Sequence, residues 1–285
     1  MSVTLRGATV LAFHALLGLS AAGCVDISAG NAQYIDTVEK RFTVSGTPVL
    51  KVGTFDGSVE VATWDKPEVL VTIERHAASR ADADRMVITA TQDGDAINVD
   101  VRDEKTSGFH FTIGPFGARV VVTVPTKATV DASTGDGRIN VRDVEGDLTV
   151  RTGDGAIRLE HVNGDVNARS GDGSIEIEGA IRRLDARSGD GRVRVHASNG
   201  QAAEEWRLAT GDGSVVLEVP DGFGAELDAT TGDGRVDVRD VPFRGDSDDR
   251  HGVARGRIGN GGSRITIRSG DGSITVRRAD RQAES

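Results

Sequence analysis

The tripeptide Gly-Asp-Gly occurs seven times in this 285-residue chain, each time preceded by Ser or Thr and followed by a short alternating stretch. Its aspartates are Asp136, Asp154, Asp172, Asp190, Asp212, Asp233 and Asp271. The first four are 18 residues apart, and the later gaps are 22, 21 and 38. A repeat of this size means one small unit stacked on copies of itself, because a single unit cannot bury its own apolar face.

Offsets from each aspartate show what the unit is. Three residues after it stand Ile139, Ile157, Ile175, Val193, Val215, Val236 and Ile274; five after it the residue is again Val, Leu or Ile. Six before it stand Val130, Leu148, Val166, Leu184, Trp206, Leu227 and Ile265, and four before it Ala, Val, Leu or Ile. Each apolar pair is split by one mostly polar residue, which is the period of a strand with one buried face. Most of these residues are β-branched, and two strands fit between successive turns. An eighth copy lies upstream, where Phe55-Asp56-Gly57 has Leu50, Val52, Val59 and Val61 at the same offsets.

A meander of antiparallel hairpins and a flattened parallel solenoid both satisfy this pattern. The solenoid accounts better for near-identical residues in every column, since like stacks on like at roughly 4.8 Å per coil. The chain is therefore expected to be all-β, a two-sided parallel β-solenoid of 18-residue coils with an N-terminal β cap. About eight coils give a rod roughly 38 Å long.

The Gly-Asp-Gly edge never changes length, whereas the far turn of each coil does. It grows by four residues around Ser198–Glu205, by three around Pro220–Ala225 and by about 20 across Pro242–Gly262. In repeat folds the edge that carries insertions is often the functional one. The long insert holds Phe243, Asp246, Asp248, Asp249 and His251 among several arginines; its Gly- and Asp-rich composition reads as a solvated loop. Between Trp64 and Thr129 the repeat is interrupted. There Val69–Ile73 and Val120–Val124 read as strands, Ala77–Arg85 as a short helix, and Gln92–Asp95 as a hairpin turn. The segment 107–116 concentrates Phe109, Phe111 and Phe116, either as a plug for the cap or as an exposed recognition loop. Phe223, at the far turn, is a further candidate contact.

The N-terminus reads as a lipoprotein leader. Arg6 precedes a short apolar stretch, Ala8–Leu19, and Ala21-Ala22-Gly23-Cys24 resembles the lipobox, whose cysteine is lipidated and becomes the new N-terminus. Cys24 is also the chain's single cysteine, which lipidation would explain. The expected organisation is a signal peptide over 1–23, a lipidated tether over 24–38, the first coil and cap over 39–130, solenoid repeats over 131–278 and a tail over 279–285. Removing residues 1–23 takes away one Arg and no acids, so 34 basic and 44 acidic residues become 33 and 44, and the net charge goes from −10 to −11. That balance argues against nucleic-acid binding. It suits a body held in the cell envelope by acyl chains, with an envelope protein or polysaccharide as partner.

The run Gly57–Ile73, the strand Val120–Pro125, the Gly-Asp-Gly coils and the closing Asn260-Gly-Gly segment together resemble a bacterial β-strand-repeat family of unknown function, whose members are labelled putative adhesins. The resemblance covers roughly residues 40 to 278. It implies an envelope-associated solenoid domain and carries over no catalytic residue. Some members are similar to accessory proteins of envelope-stress systems, which supplies a second class of role.

Calcium is a natural thought for a ladder of aspartates, but each turn offers one carboxylate and a hydroxyl, against the six to eight oxygens the ion takes. Asp56 and its seven counterparts are better read as corner residues, with Gly supplying positive φ on both sides and Asp bonding backbone amides. Arg151, Arg169, Arg187 and Arg268, and Arg138, Arg192 and Arg235, are placed to offset the stacked charge. No zinc-ligand pair, nucleophile elbow or phosphate loop is present, and no cofactor is expected. The reading is a non-enzymatic, lipid-anchored, adhesin-like module, with an envelope-stress accessory protein or a carbohydrate-active solenoid as alternatives.

Overall fold

The computed structural model describes residues 34–104, 116–200, 204–248 and 251–279. Within them the chain is strands and corners, with one short helix at Arg80–Asp84. A typical coil runs Thr129–Thr134, a Gly-Asp-Gly corner, Ile139–Arg142, then the far corner into Leu148–Thr152. All stacking between coils is parallel, so the meander is excluded. Leu148 faces Val130 and Val166, Val150 faces Ala132 and Ala168, and Ile157 faces Ile139 and Ile175. The column residues are 0–3% exposed with the single exception of Val238, which is partly buried. Every other residue points outward, as the pleat requires.

Two short columns at the far corner went unread in the sequence. Val144 and Val162 stack in one, and Ala128 and Ile181 stand at the two ends of another that runs through Gly146 and Gly164; all four apolar side chains are buried. In the middle of the rod Ile157–Ser170 and Ile175–Ser188 each run as one strand around that corner, pairing through shifts at Leu159/Val162 and Gly164/Asp165.

The Gly-Asp-Gly corner is built differently from the expectation. Apart from Gly57, its glycines have φ outside the left-handed region. They are needed because the coils approach too closely for a side chain: a Cβ on Gly173 would lie 1.9 Å from Gly155 O. The corner bond is made by the Ser or Thr before the motif. Ser170 Oγ donates to Gly155 O of the coil below at 2.8 Å and accepts from Gly173 N at 3.0 Å, and Ser188 repeats the pattern with Gly173 and Gly191. These hydroxyl residues, Thr54 to Ser269, are 3–8% exposed, so each unmade bond would leave a buried polar group. The aspartate carboxylates do not bond the amides. A short hydroxyl fits inside the corner, and the longer carboxylate is left outside.

Both ends of the rod break chain order. At the N-terminal end Val49–Thr54 lies between Ala96–Asp103 and Thr129–Thr134, and Val59–Trp64 between Gly117–Pro125 and Ile139–Arg142. Residues 96–125 thus add a coil outside the first one. Antiparallel strands finish this end: Glu68–Ala77 on Gly117–Pro125, Tyr34–Thr43 on Glu68–Ala77, and Met86–Asp93 on Ala96–Asp103. The strand from Tyr34 corrects the tether boundary, since alternation puts Tyr34 and Phe42 against the core. At the C-terminal end Arg264–Ser269 lies between Trp206–Thr210 and Ala225–Thr231. The insert read as a loop is an antiparallel hairpin, Phe243–Asp248 with Val253–Ile258, laid on Ala225–Thr231. Its own strand propensity is poor, and the open edge of Ala225–Thr231 supplies the pairing that composition did not suggest.

Candidate functional site

The rod has two long edges, and they differ in every respect that bears on binding. Along the Gly-Asp-Gly edge the aspartates follow one another in the order 56, 136, 154, 172, 190, 212, 271, 233, all exposed. Within the described residues their carboxylates make no hydrogen bond or ion pair. The arginines expected to offset them turn elsewhere: Arg151 pairs with Asp131 at 3.0 Å, Arg187 with Asp185 at 2.9 Å and Arg268 with Asp228 at 2.9 Å. Those acids sit on the strand faces before the corner, one residue pair away along the pleat. Among the described residues no group of three or more His, Cys, Asp or Glu is arranged to hold a metal ion.

The far edge is irregular. Its corner is turned by residues in the left-handed region, Asp143 at φ 61°, His161 at φ 53° and Asp240 at φ 59°, seven positions after their repeat aspartates. His161 Nδ1 lies 3.2 Å from Asp143 Oδ1 in the neighbouring coil. Two depressions open here. A groove of 530 Å³ crosses four coils, with Leu148, Val166 and Leu184 at its floor and charged and polar walls that include Asp165, Asn167, Arg183, Asp185, Glu204 and Arg207. Glu204 and Glu205 belong to the four-residue insertion, so the added length forms one wall. Arg183 pairs with Glu204, and Arg207 with Glu205 at 2.6 Å; the Glu204 contact raises the Arg183 pKa. Asn167 Oδ1 is shut off from solvent with no hydrogen-bond partner. Asp165 Oδ1 and Asp185 Oδ1 touch arginine nitrogens at 2.8 and 2.9 Å off the hydrogen-bond axis.

A smaller cleft of 290 Å³ lies where the two later insertions meet. Pro220, Phe223, Val241, Pro242 and Ile258 form its apolar walls, with Asp221 paired to Arg278 at 3.2 Å on the rim.

The candidates read from sequence are dispersed. Phe223 is 1% exposed and packs on buried Trp206 at 5.8 Å between ring centroids, so it is core where the far edge widens. Phe116 is also partly buried, 5.3 Å from Phe55 with the Arg85 guanidinium 4.7 Å over its ring, as a plug would be. Phe243 rests against the core, while Asp246, Asp248 and His251 are exposed on the hairpin. His251 Nδ1 lies 2.6 Å from Asp248 Oδ2. Cys24, Phe109, Phe111 and Asp249 lie outside the described residues. The groove's wall residues were missed because none belongs to a distinctive motif; the insertion at Ser198–Glu205 was the signal that pointed near them.

One buried carboxylate stands out. Burial pushes the Glu218 carboxyl up, but hydrogen bonds from Arg277 at 2.5 Å and from His196 outweigh it and hold the pKa below the ordinary value. Asp228 is held low chiefly by Arg268; burial pushes it up, and Arg255 at 3.2 Å on its other side adds to the lowering.

The architecture defines a two-sided parallel β-solenoid whose end coils are intercalated out of chain order. The family profile described as Toastrack DUF4097 matches residues 126–277, which is 152 of 285 positions. The chain belongs to that family. No curated protein matches it. Among solved structures it is similar to a putative adhesin from Bacteroides fragilis, at 10% identity and a TM-score of 0.43, over 84% of this chain and 96% of that one. A putative cell adhesion protein from Clostridium sporogenes aligns at 10% identity and a TM-score of 0.38, over 85% and 100%. A putative lipid binding protein from Parabacteroides distasonis aligns at 12% and 0.36, over 84% and 96%.

Proposed function

We propose that this protein is a non-enzymatic binding module, carried on the cell envelope by lipid at Cys24, that meets its partner along the far edge of the rod. The observation that carries this reading is the asymmetry of the edges among the repeats from Thr129 onward: every change in coil length there falls on one side, and the two depressions walled by inserted residues lie beside it. A further depression of 570 Å³, lined by Arg138, Arg158 and Ser174 on the sheet face that follows the Gly-Asp-Gly corner, has no inserted wall. From the Asp136 coil onward the opposite edge is held to one length by backbone contact between coils; the added outermost coil departs from it, with 18 residues between Val101 and Val120 against four between their partners Thr54 and Val59. The groove is mixed in charge over an apolar floor of Leu148, Val166 and Leu184, with carboxylates, an amide and two arginines on its walls, the chemistry of a hydroxyl-rich or peptide-like ligand rather than a lipid chain.

Two measurements test the two parts separately. Cys24→Ser should move the protein from the membrane fraction to the soluble one; unchanged membrane association would reject the anchor. Immobilised chain should retain envelope protein or polysaccharide, and Glu204→Lys with Arg207→Glu should reduce that retention at least tenfold. Asp172→Asn with Asp190→Asn on the other edge should leave it unchanged. Loss by the second pair and not the first would place the partner on the wrong edge for this proposal.

A further inference from the structure

Chain order and rung order part at the C-terminal end of the rod. Trp206–Thr210 is followed in the chain by Ala225–Thr231, yet its neighbour in the sheet is Arg264–Ser269, and the other face repeats this with Val215–Val219, Ile274–Arg278 and Val236–Arg239. The Asp233 coil skips a place. The last coil fills it after the chain has passed through the hairpin on Ala225–Thr231.

Nothing in the columns requires the skipped place. Trp206, Leu208, Val215 and Leu217 meet Ile265, Ile267, Ile274 and Val276; the next rung offers Leu227, Ala229, Val236 and Val238 at the same positions. The hydroxyl ladder is equally indifferent. Ser269 Oγ donates to Gly213 O at 2.9 Å and Thr231 Oγ1 to Gly272 O at 2.7 Å, so Thr231 brought one rung closer would find Gly213 O in the same relation. The seated coil contributes four core side chains of its own, Ile265, Ile267, Ile274 and Val276, and peripheral contacts: Arg268 to Asp228, Arg277 to Glu218, Arg278 to Asp221, and Ala279 N to Val219 O at 2.9 Å. The chain enters the coil through Gly259, Gly261 and Gly262, with φ of 55°, 82° and 149°, a connector that swings easily.

We propose that the Arg264–Arg278 coil is a removable latch, seated last, and that on its withdrawal the Asp233 coil closes by one rung onto the Asp212 coil. The two arrangements share columns and register, so they differ by one pair of ladders, the arginine contacts and the burial of Ile265, Ile267, Ile274 and Val276 rather than by refolding of the rod. Such a pair of discrete packings is what a conformational switch needs.

Disulfide trapping in the full chain carrying Cys24→Ser tests this. Ala209 and Thr230 flank Arg268 on either side. With the latch seated they are two rungs apart, about 9.6 Å, beyond the roughly 7 Å limit for a disulfide; with it withdrawn they are neighbours at about 4.8 Å. Arg151 and Arg187 flank Arg169 in the same way within the uninterrupted solenoid and give the control pair. Arg207→Cys with Thr266→Cys reports the seated state directly. The seated pair should close in native buffer, and Ala209→Cys with Thr230→Cys should close within one chain more than tenfold faster than Arg151→Cys with Arg187→Cys. Equal rates for those two pairs, or disulfides at 209 and 230 only between chains, would overturn the latch. Trp206 emission in a Trp64→Phe background checks that each reduced variant keeps its core. Should the 209/230 pair fail that check, Val216→Cys with Asp237→Cys, which flank Thr275, should show the same ratio.

Discussion

The Gly-Asp-Gly edge and the far edge are made from the same coils and obey opposite rules. At the first, from the Asp136 coil onward, backbone meets backbone so closely that composition and length are frozen, and the hydroxyl ladder repeats without exception from Thr134 to Ser269. At the second, the corner is turned by Asp143, His161 and Asp240 in the left-handed region, the register shifts from coil to coil, and insertions of several sizes are tolerated. A repeat protein thus separates the contact that fixes its spacing from the surface that is free to vary. The irregular edge is where shape, and so recognition, has room to arise.

The sharpest way to break this contrast is a methyl group. Gly173→Ala should unfold or destabilise the rod by more than about 3 kcal/mol, since its Cβ would overlap Gly155 O, while Gly200→Ala on the far edge, with open space around it, should change denaturant midpoints little. Equal effects would end the distinction between edges. Next in size, Ile181→Ala at the far corner should cost about 2–5 kcal/mol by chemical denaturation; a loss near zero would mean that corner is not core. Ser170→Ala should cost about 1–3 kcal/mol, because it strands the Gly155 carbonyl and the Gly173 amide in a buried corner.

Acid should act chiefly where the end coils meet. Glu218 and Asp228 have folded pKa values below their unfolded ones, so their contribution is full above the ordinary carboxylate pKa, about 4, and is lost as pH falls through the folded values. Melting temperature should therefore drop below about pH 4, and less steeply in Asp228→Asn; a parallel drop would assign the acid sensitivity elsewhere. The smallest effect is expected for Asp172→Asn. Its carboxylate is exposed among like charges, so stability should stay within about 0.5 kcal/mol or rise slightly, and EDTA should leave the melting temperature unchanged. A clear decrease in either would return the carboxylate to the corner.

Much of this was legible before coordinates. Offsets from the repeat aspartate gave all four main columns and their register, because a strand with one buried face writes period two directly into its sequence. The same offsets exposed the variable edge. The Gln92–Asp95 hairpin was readable from turn chemistry. The hydroxyl ladder was visible as letters, but its role was not, since a Ser before a glycine is silent until a neighbouring coil brings a carbonyl to it. The 243–258 hairpin was hidden for a related reason: its pairing partner is a sheet edge that exists only once the rod has formed.

Sequence alone fixed what each rung is: two alternating strands, a glycine corner too tight for side chains, and a far turn of adjustable length. It could not fix which rung sits beside which. Leu227 and Ile265 are equally good neighbours for Trp206, so local fit cannot choose between them. That choice fell to contacts between distant segments: the hairpin laid on Ala225–Thr231, and the arginines of the last coil reaching Asp228 and Glu218 on either side.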